Sequence, residues 1–122
     1  MKQKINVIQA ELNKPELLLH TDTKTNLSQL VPVGQMLVDS DKLTFIYIVD
    51  LDGEYTYVTI PVETWQVLSD AIVIPDLQVY LVNKDSRLKL QAFIEEMNYL
   101  IENIKGNSNY GTEMVESVET IF

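Results

Sequence analysis

Cysteine is absent from this 122-residue chain, and histidine occurs only once, as His20. Without cysteine there is no disulfide framework, thiolate zinc site, iron–sulfur cluster or cysteine nucleophile. A chain without cysteine fits a reducing compartment. A single histidine can join carboxylates at a metal ion, but His20 ends a predicted strand and is more typical of a surface or strand-edge residue.

Long apolar stretches are also absent. The longest runs, such as residues 45–49, have about a quarter of the ~20 residues that a membrane-spanning helix needs. Residues 1–9 contain two lysines but lack the apolar region of about 7–15 residues that defines a signal peptide. We therefore expect a cytoplasmic protein that does not enter a membrane.

Basic residues are few: nine Lys and Arg stand against 18 Asp and Glu, which gives a net charge of −9. Contact with phosphates requires clustered basic residues, and here they are scattered. An anionic membrane would repel such a chain. We expect no nucleic acid and no membrane as partners. A basic protein partner is compatible with the charge, and so is a charge that only maintains solubility.

The composition is otherwise that of a globular protein, with 46% hydrophobic and 22% charged residues. A chain of this length fits one domain and buries roughly two-thirds of the surface that its unfolded form exposes. No repeat, low-complexity tract or Pro/Gly/Ser-rich linker divides it. Residues 1–122 are therefore predicted to form a single domain.

The N-terminal third predicts a β-hairpin followed by an ambiguous segment. Residues 4–12 and 16–21 have strand composition, and Asn13-Lys14-Pro15 between them is typical of a turn. Residues 22–42 begin like a capped turn, but a proline and a glycine then interrupt any long helix. The second half of this segment fits either a short helix or an extended strand.

Asp52-Gly53 is the clearest local pattern in the chain. It separates two segments rich in β-branched and aromatic residues, 43–50 and 54–60. Asp-Gly supplies the positive φ angles of a tight type I′ hairpin turn. Counting outward from this turn places Tyr55 and Tyr57 on the same face. Both faces of the hairpin carry apolar residues, so we predict that it is central in the sheet or covered on both sides.

The second half of the chain is mainly helical. Its predicted elements are a helix over about 61–72, a strand over 77–82, a helix capped by Asp85 or Ser86, and a helix over about 112–121. The middle helix is the best defined, because its apolar stripe runs to Ile104 and Gly106 then provides a stop. We predict an α+β fold: a mostly antiparallel sheet with a central Asp-Gly hairpin, packed by two or three helices from the C-terminal half.

Four aspartates near predicted turns form a candidate catalytic or metal site: Asp39, Asp41, Asp50 and Asp52. Closely placed carboxylates can transfer protons or hold Mg²⁺ beside a phosphate substrate. Aspartate is also favoured beside turns because it bonds its own backbone. Both interpretations of these residues remain open at this point.

Ser86 and Lys89 have the Ser-x-x-Lys spacing of some acylating enzymes. A match at two fixed positions arises readily by chance, and the companion motifs of that class are missing. We interpret the segment as the start of a helix.

Three runs of sequence point to a known family: Val33–Asp41, Glu63–Trp65 and Asn103–Gly111. In this order they resemble the YjbL-like family of small uncharacterised proteins from low-GC Gram-positive bacteria. The resemblance extends from about residue 27 to the C-terminus. It implies a cytoplasmic bacterial protein, and it supplies no activity, cofactor or catalytic residue.

Two groups of residues form a candidate interaction surface. Tyr55 and Tyr57 share a predicted sheet face, and protein interfaces are enriched in tyrosine. In the last of the three family-like runs, Asn107, Asn109 and Tyr110 supply amide and phenol groups on a predicted loop. Core packing explains the tyrosines equally well, and a helix stop followed by a turn explains the loop.

The sequence favours a non-enzymatic cytoplasmic module that regulates or binds another protein or associates with itself, because no catalytic set is recognisable. The candidate surface is the five residues just named. The alternative is a small enzyme or ligand-binding domain that uses the four aspartates, with or without Mg²⁺. No other metal ion or cofactor is expected.

Overall fold

The computed structural model describes residues 3–122, which form a seven-stranded mixed sheet curled into a half-barrel, with three α-helices. The strands are β1 (Gln3–Asn13), β2 (Glu16–Thr21), β3 (Val31–Asp39), β4 (Thr44–Leu51), β5 (Glu54–Pro61), β6 (Gln78–Val82) and β7 (Arg87–Lys89). The helices are α1 (Trp65–Ala71), α2 (Phe93–Ile104) and α3 (Thr112–Ile121), and 3₁₀ turns occupy Leu27–Gln29, Val62–Thr64 and Ser108–Tyr110. Within the described range no helix has the length and apolar character needed to cross a bilayer.

The order of strands across the sheet is β3-β4-β5-β1-β2-β6-β7. Strand β1 runs parallel to β5 and β2 runs parallel to β6, whereas each pair of consecutive strands joined by a turn is antiparallel. The α+β class is correct, but the prediction of a mostly antiparallel sheet was wrong. The N-terminal hairpin lies in the middle of the sheet, between β5 and β6. These two pairings join segments distant in sequence, and local composition does not encode them.

The Asp-Gly hairpin has the predicted register, because Leu51 pairs with Glu54 across the turn. Asp52 and Gly53 have φ angles of 52° and 85°, which are the positive values that a type I′ turn requires. One carboxylate oxygen of Asp50 accepts a hydrogen bond from the Gly53 N–H at 2.8 Å. The two strands are second and third in the sheet, so neither is an edge strand.

The ambiguous segment 22–42 contains a 3₁₀ turn and the edge strand β3. Asn26 caps the turn, since its Oδ1 accepts a backbone N–H bond within it at 3.1 Å. β3 has an irregular register around Gly34, whose φ is 79°. Beside this irregularity Glu96 of α2 accepts a hydrogen bond from the Met36 N–H at 3.2 Å. A helix side chain therefore covers part of the strand edge.

The longest helix begins later than its sequence predicted. Arg87–Lys89 form strand β7 beside β6, and α2 begins only at Phe93. Asn83 is the cause, because its Oδ1 accepts hydrogen bonds from the backbone N–H groups of Asp85 and Ser86 and closes a turn. The prediction that Asp85 or Ser86 caps a helix was therefore wrong.

All three helices bury their apolar side chains on one face of the sheet. The fully buried core includes Leu17, Leu19, Phe45, Tyr47, Val58, Ile60, Trp65, Leu68, Phe93, Met97, Ile104 and Val118. The ring centroids of Trp65 and Phe45 are 4.7 Å apart, and the indole N–H of Trp65 donates to the carbonyl of Ile60 at 3.1 Å. A large buried ring with its polar atom satisfied is a strong anchor, so α1 is fixed to the end of β5.

The segment between β7 and α2 is bonded to the opposite edge of the sheet. The Tyr47 hydroxyl donates to the carbonyl of Gln91 at 2.7 Å, and the Gln91 side-chain amide donates to the carbonyl of Pro32 in β3 at 3.2 Å. Burial raises the pKa of the Tyr47 hydroxyl well above its usual value, so this group remains a proton donor. Residues that follow the edge strand β7 are thus hydrogen-bonded to β4 and to the other edge strand, β3.

Replacing Tyr47 by phenylalanine tests this tie. Tyr47→Phe keeps the buried ring but removes the donor to Gln91, so we expect the free energy of unfolding to fall by about 1 kcal/mol. The matched control is Tyr99→Phe, because Tyr99 is 65% exposed on α2 and its substitution should change stability by less than about 0.5 kcal/mol. Urea unfolding of both variants provides the measurement. Equal stability of the two variants would contradict the assignment.

Candidate functional site

The face of the sheet opposite to the helices carries a second group of apolar side chains. Side chains alternate along a strand, so Ile46 and Ile48 of β4 point away from the core that contains Phe45 and Tyr47. Ile46 and Ile48 are only 8% and 4% exposed, yet neither belongs to the main core. We call this side of the sheet the outer face.

Neighbouring strands shield these two isoleucines. Leu37 of β3 pairs with Ile46, and Tyr57 of β5 pairs with Ile48, at the distances where cross-strand side chains touch. Tyr55 lies on the same side of β5 and is 47% exposed. These five residues are the outer patch: Leu37, Ile46, Ile48, Tyr55 and Tyr57. Every fully buried side chain of α1, α2 and α3 belongs to the core on the other face.

A cleft of about 270 Å³ opens at one end of the outer patch. Its polar lining consists of Lys4, Asn6, Asp39, Lys42, Thr44 and Thr59. The Thr59 hydroxyl donates to Oδ1 of Asn6 at 2.6 Å, which joins β5 to β1 across the floor. Among residues 3–122, carboxylates pair with His20 and Arg87 and with neither lysine of the cleft. The cleft lining therefore combines two lysines and one aspartate with apolar surface.

The four predicted aspartates do not converge. Asp39 ends β3 and Asp41 lies in the turn that follows it, whereas Asp50 and Asp52 lie at the other end of β4. The eight residues of β4 separate the two pairs by roughly 23 Å at about 3.3 Å per residue. Asp39 and Asp50 each accept a hydrogen bond from their own turn, from Lys42 N–H at 3.2 Å in the first case. The four carboxylates therefore do not form a single site.

The structure places the predicted interaction residues on two different sides of the molecule. Tyr55 and Tyr57 lie on the outer face, whereas the loop 107–111 joins α2 to α3 in the helical layer. Asn107 has a local role, because its Oδ1 accepts the Asn109 N–H at 3.1 Å and caps the 3₁₀ turn. Tyr110 is half-buried against the core, and of these three residues only Asn109 is exposed.

Two other residues considered from the sequence have structural partners. The Ser86 hydroxyl accepts the Leu27 N–H at 2.9 Å and lies 2.8 Å from Oδ1 of Asn83, so it joins two loops instead of starting a helix. His20 lies 2.8 Å from a carboxylate oxygen of Glu11 on the neighbouring strand. No cluster of three or more histidine and acidic side chains within residues 3–122 has the geometry to hold a metal ion.

Sequence reasoning predicted the apolar side chains of the outer face and missed its lysines. The unbroken apolar run of β4 indicates Ile46 and Ile48, since a strand with one solvated face would alternate. Lys4 and Lys42 carry no such signal. They approach each other only because β1 inserts beside β5, which is a long-range pairing.

Fold and surface together define a small α+β domain with an apolar, tyrosine-bearing sheet face. Comparison with known proteins places this domain among bacterial sequences. The model of a family of unknown function (UPF0738) matches residues 5–122, and the chain belongs to that family. This membership confirms the resemblance found in the three sequence runs, and it indicates no specific function.

Named relatives match over their whole length. The UPF0738 protein YjbL of Bacillus subtilis is 39% identical over 122 residues, covering 100% of this chain and 99% of that protein. A UPF0738 protein of a Geobacillus species is 41% identical over 127 residues, covering 100% and 98%. A UPF0738 protein of Bacillus pumilus is 36% identical over 122 residues, covering 100% and 99%. No solved structure gives a significant match.

The structural role of Asn107 leads to a direct test. Asn107→Ala removes the acceptor for the Asn109 N–H, and we expect it to lower the free energy of unfolding by about 1 kcal/mol. Asn109→Ala alters an exposed amide in the same loop and should stay within about 0.5 kcal/mol of the natural protein. Urea unfolding midpoints at constant slope give the comparison. An unchanged midpoint for Asn107→Ala would show that the cap does not stabilise the loop.

Proposed function

We propose that this protein is a non-enzymatic interaction module of the bacterial cytoplasm, and that it binds another protein chain through the outer patch. The observation that carries the proposal is the outer patch itself. It is apolar and aromatic, it lies on a face where no helix buries a side chain, and Tyr55 within it is 47% exposed.

The composition of the outer face supports this choice. Protein interfaces combine an apolar, aromatic centre with a polar rim. The isoleucines and tyrosines form such a centre, and Lys4, Lys42 and Asp50 lie around it. Tyrosine is frequent among residues that dominate binding, because it buries a large rigid ring and keeps a polar tip for the rim.

The burial of β4 on both faces supports it further. An antiparallel strand with one solvated face usually alternates apolar and polar residues, but Phe45 to Val49 are all apolar and buried. One face of this run packs under the helices. On the other face Ile46 and Ile48 lie beside Leu37 and Tyr57, and Tyr55 is the member of the patch that remains exposed for a partner to cover. The separation of the four aspartates gives the enzymatic alternative no comparable support.

Capture from a lysate of the source bacterium tests the proposal. The bait is the tagged chain, compared with a variant carrying Tyr55→Ser and Tyr57→Ser and with the matched control Tyr99→Ser on α2. We expect one polypeptide near stoichiometry on the natural chain and on the control, and at least about tenfold less on the double variant, since interface tyrosines each contribute more than about 1 kcal/mol.

The fold of each bait is checked by circular dichroism before the comparison. Retention of the same polypeptide by the double variant, or its loss from the Tyr99→Ser control, would move the binding surface away from the outer patch. A natural bait that retains no polypeptide near stoichiometry would refute the proposal.

A further inference from the structure

A second cleft, of about 560 Å³, opens on the helical side of the sheet near the Asp-Gly turn, and we call it the inner cleft. Its walls come from three strands and one loop: Gln3, Lys4 and Ile5 of β1, Leu51 of β4, Thr56 of β5, and Thr23 and Thr25 from the segment after β2. Thr56 pairs with Val49, a core residue, and therefore lies on the face opposite to the outer patch. The volume falls within the range of roughly 300–1,000 Å³ that small-molecule sites occupy.

Thr56 has an unusual hydroxyl group. The residue is only 2% exposed, and its hydroxyl has no hydrogen-bond partner among residues 3–122. The other three buried threonines, Thr21, Thr44 and Thr64, each form a hydrogen bond through the hydroxyl. Every fully enclosed side-chain oxygen or nitrogen in the described range has a partner, so the Thr56 hydroxyl is not enclosed and is reached from the inner cleft.

The fold alone does not account for threonine at this position. Thr56 lies in the same row of β5 as the fully buried Val58 and Ile60. Valine has nearly the same shape, suits a strand equally well and would add no polar group to the interior. A hydroxyl that bonds nothing in the protein is available to a molecule that enters the inner cleft.

The loop wall of the inner cleft is held in place from behind. The side-chain amide of Asn83 donates to the carbonyls of Thr23 and Thr25 at 3.1 and 2.9 Å, and the N–H of the buried Leu27 donates to the Ser86 hydroxyl at 2.9 Å. The Thr23 hydroxyl donates to that of Thr25 at 3.3 Å, which leaves the Thr25 proton for another acceptor. A wall that is fixed in advance loses little entropy when a ligand binds.

The polar groups of the inner cleft are uncharged. Three threonine hydroxyls and the Gln3 amide can each donate and accept hydrogen bonds, and Ile5 and Leu51 add apolar surface. Within residues 3–122 no carboxylate lines this cleft. Lys4 pairs with Tyr57, so strand alternation directs its side chain towards the outer face. A net charge of −9 also disfavours an anionic ligand.

We propose that the inner cleft binds a small uncharged molecule rich in hydroxyl groups, such as a monosaccharide or a polyol. Hydroxyl groups of such a ligand both donate and accept, which matches the threonines and the glutamine, and its C–H surface matches the apolar side chains. The inference is independent of the proposed function, because the inner cleft and the outer patch lie on opposite faces of the sheet.

Amide chemical shifts of the isotope-labelled chain, followed by NMR, test the proposal. The probes are ribose, glucose and myo-inositol, each titrated to about 20 mM, since a ligand of this size is expected to bind with a dissociation constant of about 1 mM. We expect at least one of them to shift the amides of Thr23, Thr25 and Thr56. Glucosamine and glucuronate carry a charge that finds no partner in the inner cleft, so they should bind at least about tenfold more weakly.

Three valine substitutions separate binding from stability. Thr56→Val removes one bond to the ligand and should weaken binding about fivefold, and Thr25→Val should act in the same direction. Thr56→Val breaks no bond within the protein, so its urea midpoint should be no lower than that of the natural chain. The matched control is Thr64→Val, which loses a 2.7 Å bond to the Pro61 carbonyl. It should lower the midpoint and leave binding unchanged.

Four results would overturn the inference. They are a set of three sugars that leaves the amides of the inner cleft unshifted, charged probes that bind there as tightly as uncharged ones, unchanged binding by Thr56→Val, and a lowered urea midpoint for Thr56→Val. The last result would show that its hydroxyl already serves the fold. None of these outcomes affects capture of a polypeptide through Tyr55 and Tyr57, so failure here is distinguishable from failure of the proposed function.

Discussion

Two parallel pairings, β1 with β5 and β2 with β6, hold the sheet together. Without the N-terminal hairpin between them, β3-β4-β5 and β6-β7 would be separate antiparallel pieces, each with two open edges. Small sheets of two or three strands are marginal in water, and their apolar faces need a common core. The inserted hairpin makes that core continuous, since Ile5, Val7, Leu17 and Leu19 fill the space between the two pieces.

The same insertion creates the candidate site. β1 carries Lys4 and Asn6 to the side of β5, where they meet Lys42 and Thr59 around the cleft. The outer patch depends on β4 having neighbours on both sides, because Leu37 and Tyr57 shield its isoleucines. The continuous sheet and the cleft beside the outer patch therefore both depend on the long-range placement of β1 and β2.

Local chemistry was readable from the sequence, and long-range pairing was not. Asp52-Gly53 defined a turn and its register because the φ requirement acts on two adjacent residues, and Asn26 capped its turn for a similar reason. The predicted start of the next helix was wrong because the Asn83 side chain completes a turn there, and the apolar stripe of the helix does not indicate this turn. Parallel pairing leaves no local mark, so the mixed sheet could not be predicted.

The candidate site shows the same contrast between local features, which the sequence predicts, and long-range placement, which it does not. The shared face of Tyr55 and Tyr57 followed from strand alternation, while the separation of the four aspartates needed the length of β4 and the turns at its ends. The loop from Asn107 to Tyr110 was attractive for its polar groups, but its first residue is committed to capping. The resemblance of this loop to a known family indicated ancestry. The physical role of each loop residue became clear only from the contacts of that residue in the structure.

The packing of Trp65 also determines what the intrinsic fluorescence of this protein can report. It is the only tryptophan in the chain, it is fully buried, and its ring centroid lies 4.7 Å from that of Phe45 and 5.9 Å from that of Phe122. Its intrinsic fluorescence is therefore a probe of the junction between β4, α1 and the end of α3. Emission will follow the opening of that junction and will be insensitive to events on the outer face, so the two sides of one sheet can be observed separately.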